Sequence, residues 1–231
     1  MTGPKMGYTP GMCGRYTFSA SPAELDRLGV DPADLRGLQP RYNVAPSQGV
    51  PVLGLKADGR RRGLARLRWG LVPGWSSDPS ASPKPINAKA ETVATLPTFR
   101  DSFRSRRCLL PADGFYEWAK LGPNKVPHLF RTHDGLFAFA GLWASWGSGA
   151  DRLLTCCLIT TPANDLVRPV HARMPAILSP DVWDAWLSPS TPAAELLGLL
   201  QPFPSERMTA VAVGPAVNSA RTDGPECVLP A

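Results

Sequence analysis

Long apolar runs are absent from this 231-residue chain. No stretch approaches the about 18 consecutive apolar residues of a membrane-spanning helix. The first twelve residues, MTGPKMGYTPGM, lack the apolar core of a secretory signal. They are expected to be a leader that is absent from, or removed in, the mature protein. Histidine is scarce, with three copies. The five cysteines (Cys13, Cys108, Cys156, Cys157 and Cys227) form no Cys-x-x-Cys pair, so the ligand spacing of a zinc cluster is missing and neither metal nor cofactor is expected. An odd count of cysteines without a secretory signal fits free thiols in a reducing cytoplasm. No internal repeat is visible, and nothing in the pattern marks an obligate protein partner, so a monomer is expected. Acidic residues are also in deficit: 19 Asp and Glu against 25 Lys and Arg, for a net charge of +6 and a pI near 9.3. That balance favours an anionic partner, nucleic acid first.

Proline (26) and glycine (21) are plentiful, so short elements joined by shaped loops are expected. Ser21-Pro22-Ala23-Glu24 is a capping box with proline at the first helical position, and Gly29 closes that helix. Ser179-Pro180-Asp181 opens a second helix with Trp183, Trp186 and Leu187 on one face, and Thr191-Pro192 opens a third. Elsewhere short apolar runs broken by Gly and Pro predict strands near residues 50–55, 64–69, 136–140, 153–160 and 209–213. Strands outnumber helices and do not alternate with them. The expected class is therefore α+β, one domain over residues 13–231 with a curved, mostly antiparallel sheet and a few short helices. Residues 76–85 read as a surface loop.

Five segments carry chemistry. Met12-Cys13-Gly14-Arg15 comes first. With Met12 and everything before it gone, Cys13 bears an α-amine and a thiol on one carbon skeleton, able to close an aldehyde into a thiazolidine. An α-amine titrates near ~7.7–8.0, so part of it is nucleophilic at neutral pH. The other reading is an internal, buried cysteine. In Asn87-Ala88-Lys89-Ala90-Glu91, an extended backbone projects an amide, an amine and a carboxylate to one side. They form either a polar floor for an anion or the wet face of an edge strand. Asp113-Gly114-Phe115-Tyr116-Glu117-Trp118 sets a carboxylate among aromatics, where desolvation raises a carboxyl pKa. Glu117 is then a general acid/base, or one half of a salt bridge. His171-Ala172-Arg173 places an imidazole in a loop, as a proton-transfer group or a structural one. Trp69 and Trp75 flank a Gly/Pro-broken loop, as stacking platforms for bases or as core. Arg60 to Arg62 follow Asp58-Gly59 and read as a hairpin tip, whereas Arg100, Arg104, Arg106 and Arg107 could track phosphates.

Taken in order, the motifs M-C-G-R-Y at Met12, R-Y-N-V-A-P-S-Q at Arg41, W-G-L-V-P-x-W at Trp69, N-A-K-A-E-T at Asn87, P-A-D-G-F-Y-E-W at Pro111, T-T-P-A-N at Thr160 and H-x-R-M-P at His171 cover nearly the whole chain from Met12. This set resembles the SOS response-associated peptidase (SRAP) family of abasic-site-processing proteins. The resemblance implies a barrel-like core and a partner, single-stranded DNA holding an abasic site. It implies that Cys13 captures the ring-opened sugar aldehyde as a thiazolidine crosslink that shields the lesion. Glu117 would handle the amine proton and assist ring opening, His171 would shuttle protons, and Asn87 would orient Cys13 or the sugar. Arg15, Lys89 and Arg173 would lie along the DNA, with the Trp69 to Trp75 loop wedged against neighbouring bases. Two positions depart from the family pattern: Lys89 stands where arginine is usual, losing the bidentate fork, and Ala172 where an acidic residue is common. A cysteine peptidase or autoprotease using Cys13, His171 and Glu117 is the alternative, and a non-covalent single-strand binder is a third.

Overall fold

In the computed structural model, which describes residues 13–80 and 84–231, the Pro- and Gly-punctuated apolar runs become strands. The expected leader over residues 1–12, and residues 81–83 of the expected surface loop, lie outside the described residues. In chain order the strands are β1 (Tyr16–Phe18), β2 (Arg41–Val44), β3 (Gly49–Leu55), β4 (Arg62–Trp69), β5 (Asn87–Lys89), β6 (Arg107–Ala112), β7 (Gly114–Leu121), β8 (Asn124–Thr132), β9 (Phe137–Trp146), β10 (Leu153–Pro162), β11 (Arg173–Pro175), β12 (Ile177–Leu178) and β13 (Met208–Ala212). The helices are α1 (Pro22–Leu25), α2 (Arg100–Ser105), α3 (Trp183–Leu187) and α4 (Ala193–Gly198). None among the described residues is long and apolar enough to cross a membrane.

Strands β4, β3, β6, β9 and β10 pair in that order, and β10 returns to β4 in parallel, which closes a barrel. Closure leaves no unpaired edge and lets both sides of each strand be covered. Leu53, Trp69, Leu109, Ala140 and Cys157 are withdrawn from solvent accordingly. At Gly141 a Cβ would collide with Leu110 and stand 3.1 Å from the Cys108 sulfur, so the closing strand needs a residue without a side chain there. A second, antiparallel sheet runs β2-β1-β7-β8-β13. The segment after β13 folds over it, and Val213, Val217 and Cys227 pack on Tyr116 and Leu129. The architecture is thus α+β with a barrel core, a mostly antiparallel sheet and short helices.

Local chemistry explains the helices. Ser21 and Glu24 exchange both capping-box bonds at α1, and Gly29 ends the turn at φ 63°. Trp183, Trp186 and Leu187 of α3 are buried together. The sequence carries no start signal for α2, because Phe99 at its N-cap position supplies no side-chain cap. Packing forms it instead, with Phe103 against Trp186 at 6.1 Å. Arg107 corrects the expectation that it tracks phosphate. It is buried and donates to the carbonyls of Phe103, Arg104, Trp186 and Ser188, capping the ends of α2 and α3.

Candidate functional site

The register between β1 and β7 builds the site. Tyr16 faces Phe115, Thr17 faces Gly114, and the Tyr116 N–H donates to the Arg15 carbonyl at 3.0 Å. Carried one pair further, that register brings the chain at Cys13 and Gly14 alongside Glu117. The Cys13 thiol and the Glu117 carboxyl lie close enough there for each to shift the other's titration. Asn87 arrives on β5, held in parallel beside β10 by the Leu158–Asn87 pairing. Its Nδ2 donates to the Cys13 carbonyl at 3.3 Å. All three residues are nearly sealed from solvent, at 2% (Cys13), 7% (Asn87) and 6% (Glu117) exposure. Two acceptors in this pocket, Asn87 Oδ1 and Glu117 Oε1, have no hydrogen-bond partner. Buried acceptors without donors are costly.

Burial sets the titration of the pair. It raises the Glu117 carboxyl above the ordinary carboxylate range, while the neighbouring Cys13 thiol and His171 pull it the other way. Burial also pushes the Cys13 thiol well above its usual value, and the Glu117 charge adds to that. Cys13 is therefore a protonated thiol with a carboxyl group beside it.

His171 reaches the site from the loop between β10 and β11. Asn164 shapes that loop: its Oδ1 accepts from the Val167 N–H at 3.0 Å, and its Nδ2 donates to the Phe203 carbonyl at 2.7 Å. The His171 Nδ1 lies 3.9 Å from Glu117 Oε1, 3.0 Å from the Arg173 backbone nitrogen and 2.9 Å from the Arg173 carbonyl oxygen, so the backbone of Arg173 offers this ring nitrogen both a donor and an acceptor.

The structure separates the residues expected along DNA. Lys89 is exposed at the end of β5. Trp75 is 65% exposed, whereas Trp69 corrects the expectation of a stacking platform. Its ring is wholly buried, edge-on to Tyr16 at 5.4 Å, and its Nε1 donates to the Ile86 carbonyl at 2.9 Å. The pleat decides this, since Leu67 and Trp69 turn into the barrel while Arg66 and Arg68 turn out. Arg15 is occupied by Asn43 Oδ1 at 2.8 Å and the Val217 carbonyl at 2.6 Å, with its guanidinium 5.9 Å from the Trp118 ring. Arg173 forks onto Glu91 and donates to the Thr160 carbonyl at 2.7 Å, clamping the His171 loop to the chain after β5. Among the described residues no cluster of three or more His, Cys, Asp or Glu is placed to hold a metal.

Three positioning residues escape a reading of motifs. Asn43, fully buried, donates to the carbonyls of Val217, Ser219 and Thr222 while accepting from Arg15. Asp223 accepts the N–H groups of Tyr42 and Asn43 and pairs with Arg41. Together with Asn164 they hold the strand carrying Cys13 and the loop carrying His171. Asn43 and Asn164 sit inside the R-Y-N-V-A-P-S-Q and T-T-P-A-N motifs, whereas nothing in the sequence singles out Asp223.

The chain and its fold are similar to those of known proteins. The family described as SOS response associated peptidase (SRAP) matches residues 12–220. "Abasic site processing protein YoqW" of Bacillus subtilis is 41% identical, over 94% of this chain and 99% of that protein. "Abasic site processing protein HMCES" of Gallus gallus is 33% identical, over 95% of this chain and 78% of that protein. A crystal structure of a protein from Bacteroides thetaiotaomicron superposes with a TM-score of 0.85 at 27% identity, covering 95% of this chain and all of that one.

Proposed function

The chain belongs to the SOS response associated peptidase family, and from that premise we propose that it processes abasic sites in single-stranded DNA by covalent capture through Cys13. The acting form begins at Cys13, with residues 1–12 absent or cut away and residues 13–231 as the working domain. The observation that carries this reading is the pair of partnerless buried acceptors, Asn87 Oδ1 and Glu117 Oε1, beside Cys13. An α-ammonium group at Cys13 is a donor of the kind they lack.

The chemistry balances as one aldehyde plus one aminothiol giving a thiazolidine and water. The Cys13 amine attacks the C1′ aldehyde of the opened sugar, and the resulting carbinolamine loses its hydroxyl as water to leave an imine. The thiol sulfur then adds to the imine carbon, and its proton passes to the nitrogen. Glu117, with its carboxyl raised by burial, accepts the ammonium proton, gives it to the carbinolamine hydroxyl as that leaves as water, and then carries the thiol proton to the nitrogen. His171, next to Glu117, passes protons to the sugar oxygens. Asn87 holds the Cys13 backbone in register. Lys89 faces the flanking phosphates, and Trp75 stacks on a neighbouring base.

The peptidase reading needs a different thiol. A cysteine peptidase lowers its thiol pKa with an adjacent imidazolium, while the Cys13 thiol is raised and its near partner is a carboxylate. The test uses protein beginning at Cys13, incubated with single-stranded DNA carrying one abasic site. A DNA–protein band that survives boiling in detergent is expected. It disappears in Cys13→Ala and in protein whose α-amine has been acetylated. Crosslinking that persists with the amine blocked overturns the thiazolidine and returns the thiol-only chemistry.

A further inference from the structure

A second basic feature lies on the barrel wall, away from Cys13. Arg36, Arg41 and Arg66, with Leu38, Leu64 and Phe18, line a cavity of 310 Å³. Phe18 ends β1, five residues beyond Cys13, at most about 16 Å away at a rise of about 3.3 Å per residue. The pleat of β4 turns Leu64, Arg66 and Arg68 outward, opposite Leu53, Pro51 and Gly49 of β3. Gly49 makes room on that wall: a Cβ there would stand 2.5 Å from Arg66 Nε, so the arm of Arg66 lies flat on bare backbone. Arg41 is neutralised by Asp223, and Asp34, the acidic residue on the cavity wall, is taken by Lys56 at 2.9 Å. Neither Arg36 nor Arg66 is held in an ion pair among the described residues. Two uncompensated guanidiniums over partly apolar walls suit a phosphate joined to something flat.

We propose that this cavity is a second nucleic-acid contact, taking a flanking nucleotide of the bound strand, with Arg36 and Arg66 on its phosphate and Leu38 and Leu64 beside its base or sugar. The proposal rests on the DNA reading above and adds a place for the strand beyond the lesion. Guanidiniums match phosphate oxygens in a forked geometry, and a cavity of this size admits a group of about nucleotide dimensions.

The test compares two abasic oligonucleotides, one with a single nucleotide on each side of the lesion and one with long flanks. Both are offered to protein beginning at Cys13 and to its Arg36→Ala/Arg66→Ala double variant. Crosslink formation on the short oligonucleotide is expected to be equal in the two proteins; if neither crosslinks it, the capture reading fails, and with it this one. On the long oligonucleotide, anisotropy is expected to show weaker binding by the variant, with the log–log salt slope reduced by about 0.7 for each phosphate that the variant no longer neutralises. An unchanged slope overturns the proposal, and so does an equal loss on both lengths. As competitors, free nucleoside monophosphate and polyglutamate are expected to leave the long-flank advantage intact. If either abolishes it at concentrations comparable to the DNA, the cavity serves a free nucleotide or an acidic protein segment instead. Both substituted side chains are exposed, so the double variant is expected to melt with the parent.

Discussion

The barrel and the seam where β1 meets β7 both bury cysteine, and the two surroundings differ in their polar groups. Cys108, Cys156 and Cys157 are buried on the barrel strands, and burial raises all three thiols. Cys13 is sealed nearly as well, and its thiol is raised too. Burial therefore does not distinguish them. The polar groups do: the seam holds a carboxylate, an amide and an imidazole around Cys13, and two of their acceptor atoms await donors. Inside the barrel a thiol is a small apolar filler. At the seam it sits among polar groups two of whose buried acceptors have no hydrogen-bond partner.

The contrast breaks most sharply at Glu117. Glu117→Gln keeps the shape and removes the proton acceptor, so the crosslinking rate is expected to fall by about 10²–10⁴, while Cys157→Ala in the barrel leaves it unchanged. Single-turnover gel assays measure both, and equal rates for Glu117→Gln and parent would remove Glu117 from the chemistry. The two tryptophans sharpen the contrast through stability and binding. Trp69→Ala is expected to cost about 3–5 kcal/mol of stability, as a buried aromatic deleted from a core does. Trp75→Ala is expected to leave stability alone and weaken single-strand binding by about 1–3 kcal/mol for the base it stacks on. Chemical denaturation and DNA titration on the same two variants separate these effects, and a reversed pattern would exchange their roles.

The smallest expected effect is a pH slope. The folded-state pKa of Glu117 lies above its unfolded value because of burial. Its contribution to stability is thus fully present below the ordinary carboxylate range and is lost as pH rises through the raised value. Relative to Glu117→Gln, the parent should lose stability as pH climbs across that window. Parallel curves for the two proteins would show that the carboxyl titrates normally. Comparing parent with variant cancels groups of opposite sign, such as Glu24 and Glu91, whose pKa values are lowered.

Much of this was legible in the residues. The capping box at Ser21, the helix carrying Trp183 and Trp186, and the apolar runs of β3, β4 and β10 follow from local rules, since caps, turns and the two-residue pleat act over a few positions. Trp69 shows where local rules stop. Beside Trp75 on a Gly/Pro-rich loop it reads as a stacking platform, yet it ends β4, and the pairing of β4 with β10 folds it inward. Arg15 and Arg173 read as free cations, and distant carbonyls and Glu91 claim them. The α2 helix carries no side-chain cap at its N-terminus and exists through contacts with α3.

What the chain determined by itself is the inventory: an excess of cations, cysteines without metal-ligand spacing, and an ordered series of short motifs placing Cys13, Asn87, Glu117 and His171 on separate segments. Only the tertiary structure decided that these four meet. The distance between Cys13 and His171 along the chain is closed by a strand register, a parallel pairing and a loop pinned by Asn164, none of which is written at the positions it brings together. A strand register is set by the summed burial of both faces and by the barrel's closure, so it belongs to the whole sheet and to no single motif.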